Sequence, residues 1–74
     1  MSWKALSVIY IEAYDIEAEK VYTGDTREEV IAVAEKGLEE LLAEFQKRGI
    51  PLTRDTVEWE IERIWEVADG PAYH

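Results

Sequence analysis

Thr56-Val57-Glu58-Trp59-Glu60-Ile61-Glu62-Arg63-Ile64-Trp65-Glu66-Val67-Ala68 alternates with period two. Val57, Trp59, Ile61, Trp65 and Val67 stand at odd positions, and Glu58, Glu60, Glu62 and Glu66 at even ones. A strand reads this way when one face is buried and the other meets water. The wet face is then a file of carboxylates about 6.5–7 Å apart, because alternate residues sit two strand rises from each other. Two readings of the file compete. One is the solvated outer face of an antiparallel sheet, which is often this polar; the other is a negative ribbon that docks on a basic partner.

Upstream, Gly24-Asp25-Thr26 opens a helix. Thr26 with Glu29, or Asp25 with Glu28, has capping-box spacing, and both registers put acids in the first turn, where the helix dipole favours them. Val30, Ile31, Ala34, Leu38, Leu41, Leu42 and Phe45 keep helical spacing and predict one apolar stripe. Gly37 lies on that stripe at a cost of about 1 kcal/mol of helix propensity, which points to close approach of the sheet. Lys47 and Arg48 fill the last turn, Gly49 suits the position after the cap, and Pro51 blocks continuation. The helix is expected from Thr26 to Arg48.

Trp3 to Ala13 is rich in β-formers, and Val8, Ile9, Tyr10 and Ile11 are apolar on both parities, as in a central strand. Tyr14 to Glu17 reads as a turn without the Asn-Gly or Asp-Gly of a tight hairpin. Glu19 to Thr23 reads as a shorter, more polar strand. A helix of about 22 residues spans roughly 33 Å and an 11-residue strand roughly 36 Å, so the layers match in length. A right-handed crossover places the last strand beside the first and antiparallel to it. The expected fold is a two-layer α/β (α+β) domain, β-β-α-β, with a three-stranded antiparallel sheet in order 2-1-3 on one helix. Its outer face must then take Leu6, Val8, Tyr10 and Tyr14, or else Trp3, Ile9 and Ile11. Either set is apolar enough to suggest an interaction surface, unless the long stems of neighbouring Glu and Lys shield it.

Seventy-four residues suffice for one small domain. With no Cys there is neither disulfide nor thiolate metal site, so the core must be dense, and 47% apolar residues with three Trp allow that. No apolar run approaches the length of a membrane span, and Met1 to Ala5 lacks the features of a signal peptide. A soluble, cytoplasmic protein is expected. Net charge is −9, and residues 55–74 hold six of the acidic side chains against Arg63 alone. Such a field repels phosphate and disfavours direct nucleic-acid binding, whereas a basic protein complements it. Absence of Asn and Cys with abundant Glu is a thermophile-like composition that chance or human design would equally give.

The parts of an enzyme are not assembled. The single His is His74, at the last position, where chain ends fray. Ser2 and Ser7 lack an activating neighbour pattern. Solvated Glu58, Glu60 and Glu62 are wrong for general acid work and do not converge on a cation, so no catalytic residue, cofactor or metal is expected. Gly24 is a lone glycine, far short of a phosphate loop.

Tyr22-Thr23-Gly24-Asp25-Thr26-Arg27-Glu28-Glu29-Val30, the amphipathic Leu/Glu helix and Arg48-Gly49-Ile50-Pro51-Leu52 together resemble the HicB-like antitoxin family. There a strand ends in a Gly-Asp-Thr-x-Glu-Glu helix start, and the helix closes in a Gly-x-Pro loop before a final strand. The resemblance covers about residues 21–55. It departs before the helix, where the family has three strands with a Pro-Gly segment and only one hairpin fits here. The DNA-binding module of many members is absent, so repressor activity is not implied. The resemblance implies an antitoxin that neutralises a small basic ribonuclease.

From these readings the chain is expected to be an acidic, antitoxin-like protein-binding module that masks the cationic surface of a toxin or nucleic-acid enzyme. Glu58, Glu60, Glu62, Glu66, Tyr10 and Tyr14 are its candidate partner-binding residues. A virus-encoded inhibitor of a host nucleic-acid enzyme, or a designed or structural homodimer with no ligand, are the alternatives. A homodimer through the outer sheet face or the last strand's edge is also expected.

Overall fold

The computed structural model describes residues 1–68. They form β1 (Ser2–Ile11), β2 (Ile16–Gly24), α1 (Arg27–Lys47) and β3 (Glu58–Val67). The sheet order is β2-β1-β3, and both strand pairs are antiparallel, as the sequence led us to expect. β1 and β2 are joined by a short 3-10 turn, Glu12–Tyr14, that ends on Asp15 at φ 51°, ψ 48°. The Asp15 N–H donates to the Glu12 carbonyl at 3.2 Å. Asp is among the few non-glycine residues that tolerate this left-handed conformation, so the hairpin closes without a glycine. β2 begins at Ile16, earlier than the expected Glu19, and β1 stops at Ile11 rather than Ala13.

The helix ends follow from their caps. Thr26 Oγ1 accepts a hydrogen bond from the Glu29 N–H at 3.0 Å, which satisfies one orphan donor of the first turn. At the other end Gly49 adopts φ +81°, and its N–H donates to the Gln46 carbonyl while that of Ile50 donates to Phe45, at 3.0 and 2.9 Å. This paired closure is a Schellman motif, and its left-handed residue is glycine because a Cβ is penalised there. The following loop is tied back by the Gln46 side-chain amide, which donates to the Leu52 carbonyl at 3.0 Å.

β1 shows which of its parities faces the helix. Ala5, Ser7, Ile9 and Ile11 are buried beneath α1, whereas Leu6, Val8 and Tyr10 point to the outer face. Ile9 and Ile11 join Leu38, Leu42, Leu52 and Val57 in the core, with Phe45, Ile50 and Trp59 packed against it. The buried Ser7 hydroxyl donates to the Lys20 carbonyl at 3.2 Å, which removes the cost of leaving it unpaired.

The helix stripe is narrower than expected. Val30, Ala34, Leu38 and Leu42 are buried, Ile31 and Phe45 are half-buried, and Leu41 is 37% exposed. The cause is the position of α1, which lies over β1 and β2 more than over β3. Leu41 therefore faces the edge of β2 beside Tyr22 and Gly37 rather than the core. Gly37 allows that placement: a Cβ there would lie 2.6 Å from Cε1 and Cζ of Tyr22.

Candidate interaction face

The outer face is set by cross-strand register. β2 places Thr23, Val21, Glu19 and Glu17 opposite Lys4, Leu6, Val8 and Tyr10 of β1. On the other side, β3 places Trp65, Arg63, Glu60 and Glu58 opposite the same four residues. The face thus has four ranks across three strands, each rank about 6.5–7 Å from the next. Glu17 and Glu58 flank Tyr10, Glu19 and Glu60 flank Val8, Val21 and Arg63 flank Leu6, and Thr23 and Trp65 flank Lys4.

A β-bulge corrects the expected carboxylate file. Leu6 pairs with Arg63 and Ser7 with Ile61, so Glu62 has no cross-strand partner. One extra residue reverses the facing of everything beyond it. Glu58 and Glu60 keep the outer face, but Glu66 pairs with Trp3 on the helix side of the sheet. Trp65 and Val67, expected against the helix, pair with Lys4 and Ser2 and lie on the outer face. Ile64 takes the inner position beside Ala5. Tyr14 is 52% exposed in the turn, off the strands. Of the six candidate residues, the structure brings together Glu58, Glu60 and Tyr10.

The bulge makes the face bipolar. One end carries Glu17, Glu19, Glu58 and Glu60 around Tyr10 and Val8. The other carries Lys4 and Arg63 around Leu6, and the Arg63 guanidinium carbon lies 4.9 Å from the Trp65 ring centroid. Such a contact leaves the guanidinium edges available to a carboxylate. Leu6, Val8 and Tyr10 are half-buried by their neighbours, so shielding by flanking side chains contributes on this face as well.

Tyr10 registers the acidic end. Its hydroxyl donates to Asp15 Oδ1 at 2.9 Å. That hydrogen bond, then desolvation, then the charges of Glu12, Glu58 and Glu17 raise its pKa above the ordinary value of 10.0. Each effect disfavours a phenolate beside carboxylates.

Glu17, Glu19, Lys4 and Arg63 were not among the candidate residues. The hairpin register brings Glu17 and Glu19 across β1 from Glu58 and Glu60; their own alternation about Ala18 was the available signal. Among the described residues no group of three or more His, Cys, Asp or Glu could hold a metal ion, and no helix is long and apolar enough to cross a membrane. His74 lies outside the described residues. No family model matches this chain, and neither a curated protein nor a solved structure matches it.

Proposed function

We propose that this chain is an antitoxin-like protein-binding module, not an enzyme, that neutralises a basic nucleic-acid-binding or RNA-cleaving protein in the cytoplasm. The observation that carries the reading is the acidic end of the outer face, where Glu17, Glu19, Glu58 and Glu60 bracket Tyr10 and Val8. Four carboxylates spread over two ranks offer acceptors to several Arg and Lys side chains at once. Charge-assisted bonds of this kind compete with the phosphates that such a surface would otherwise hold. Tyr10 and Val8 add an amphipathic centre inside the charged rim, the usual division between affinity and steering.

The likeness of residues 21–55 to HicB-like antitoxins supports the same reading, since their targets are small basic ribonucleases. A virus-encoded inhibitor would use the same acidic end on a host enzyme. The experiment is to sequence the genes flanking this chain's own, purify a small basic protein if one is encoded there, and assay its RNA cleavage. Stoichiometric inhibition that is lost with Glu58→Gln/Glu60→Gln is the expected result. Full RNA cleavage at saturating wild-type protein would reject the reading.

A further inference from the structure

We propose that the bipolar outer face pairs with the same face of a second copy of this chain, about a two-fold axis running across the strands. The inference does not rest on the basic-partner reading. A rotation about that axis turns one sheet face onto the other and reverses strand direction, so the acidic end of one copy meets the cationic end of its mate. With the axis between the Val8 and Leu6 ranks, Val8 meets Leu6, Glu60 meets Arg63, Tyr10 meets Lys4 and Glu58 meets Trp65, while Glu19 and Glu17 at the β2 edge meet Val21 and Thr23. Every one of these contacts is made twice, as an isologous interface requires.

Charge selects this arrangement. The alternative axis, along the strands, would lay β2 of one copy on β3 of the other and stack Glu17 on the mate's Glu58 and Glu19 on the mate's Glu60, a like-charge juxtaposition costing several kcal/mol. The net charge of −9 on each chain opposes approach at long range, but salt screens that repulsion beyond about 8 Å at physiological ionic strength. Contact pairs decide at short range. The bulge is what creates the match: without Glu62 as an extra residue, an alternation running on from Ile61 would place Glu62 and not Arg63 beside Leu6.

The footprint fixes the strength. Three strands at about 4.8 Å spacing and eight or nine residues long give a patch of roughly 15 by 30 Å per copy. That falls at the low end of specific interfaces, so the dimer is weak and exchanges readily. It also occupies the acidic end, so a basic partner binding there must displace the second copy.

The test is sedimentation equilibrium of the full chain from micromolar to about 1 mM, the range of weak association. Wild type is expected to pass from monomer to dimer. Lys4→Glu/Arg63→Glu and Glu58→Lys/Glu60→Lys are each expected to stay monomeric, and their equimolar mixture to form a heterodimer. Both variants remain net acidic, so attraction on mixing would come from the faces and not from overall charge. Circular dichroism checks that each is folded. Should one unfold, Lys4→Gln/Arg63→Gln and Glu58→Gln/Glu60→Gln replace them, each expected to weaken the dimer about tenfold. A wild type that stays monomeric throughout, a dimer indifferent to these changes, or a mixture that fails to associate would overturn the proposal.

Discussion

The Arg63 guanidinium carbon lies 4.9 Å from the Trp65 ring centroid, and both side chains stand on the outer face because Glu62 is an extra residue in β3. Deleting Glu62 leaves Glu58, Glu60, Arg63, Trp65 and Val67 facing outward and Trp59, Ile61 and Ile64 facing the helix. The deletion variant is therefore expected to fold, with stability within about 1 kcal/mol of wild type, the scale of an ordinary substitution. Deleting Glu60 instead reverses half-buried Ile61 and is expected to cost about 1–2 kcal/mol more than the Glu62 deletion, a part of what full burial of an isoleucine is worth. Urea denaturation of both checks this, and equal losses would place the bulge elsewhere.

Tyr22 and Gly37 make a second sharp case. Ala normally improves a helix interior over Gly by about 1 kcal/mol. At position 37 the added Cβ would meet the tip of the half-buried Tyr22 ring at 2.6 Å, so Gly37→Ala is expected to push the ring aside and to forfeit that gain. In a Tyr22→Ala background the same change should recover it, by about 1 kcal/mol. An equal gain from Gly37→Ala in both backgrounds would contradict the packing.

Leu38 and Leu41 separate core from flank. Leu38 is 2% exposed and Leu41 37%. Leu38→Ala is expected to cost about 2–5 kcal/mol, and Leu41→Ala less than about 1 kcal/mol. Denaturation midpoints at constant slope would measure the difference.

Tyr10 supplies a pH prediction. Its pKa is raised above 10.0, first by the hydrogen bond to Asp15 and next by desolvation and neighbouring carboxylates. When unfolding, the phenol regains its ordinary pKa, so between the two values the unfolded chain holds fewer protons than the native one. Stability is then fully present below the ordinary pKa and falls as pH rises through the native one. Asp15→Asn, which keeps a side chain suited to the left-handed backbone, should lower the Tyr10 titration midpoint. A spectrophotometric titration unmoved by that change would exclude the hydrogen bond as the leading cause.

How far these features were legible depended on what set them. The helix ends were written locally in Thr26, Glu29 and Gly49, and local hydrogen bonds did fix them. Strand order followed from chain connectivity and the unbroken apolar run of β1. Period-two counting puts Glu62 and Glu66 in the carboxylate file because it assumes an uninterrupted ladder, which the bulge breaks. Charged Arg63 at an odd position followed by apolar Ile64 at an even one carried the phase change, and only pairing with Leu6 and Ser7 places it at Glu62. Leu41 keeps helical spacing, but its exposure depends on how α1 sits over β1 and β2, which is a tertiary choice. Glu17 and Glu19 gained their place from a hairpin register set by Asp15 in an unusual backbone region.

On the proposed function, partner binding belongs to the acidic end of the outer face and not to every glutamate of β3. Isothermal titration of an RNA-cleaving or nucleic-acid-binding basic protein that the wild-type chain inhibits into two double variants distinguishes these residues. Glu58→Gln/Glu60→Gln is expected to weaken binding by about tenfold or more, while Glu62→Gln/Glu66→Gln stays within about twofold of wild type. Equal weakening by both pairs, or greater loss from the second, would contradict the account.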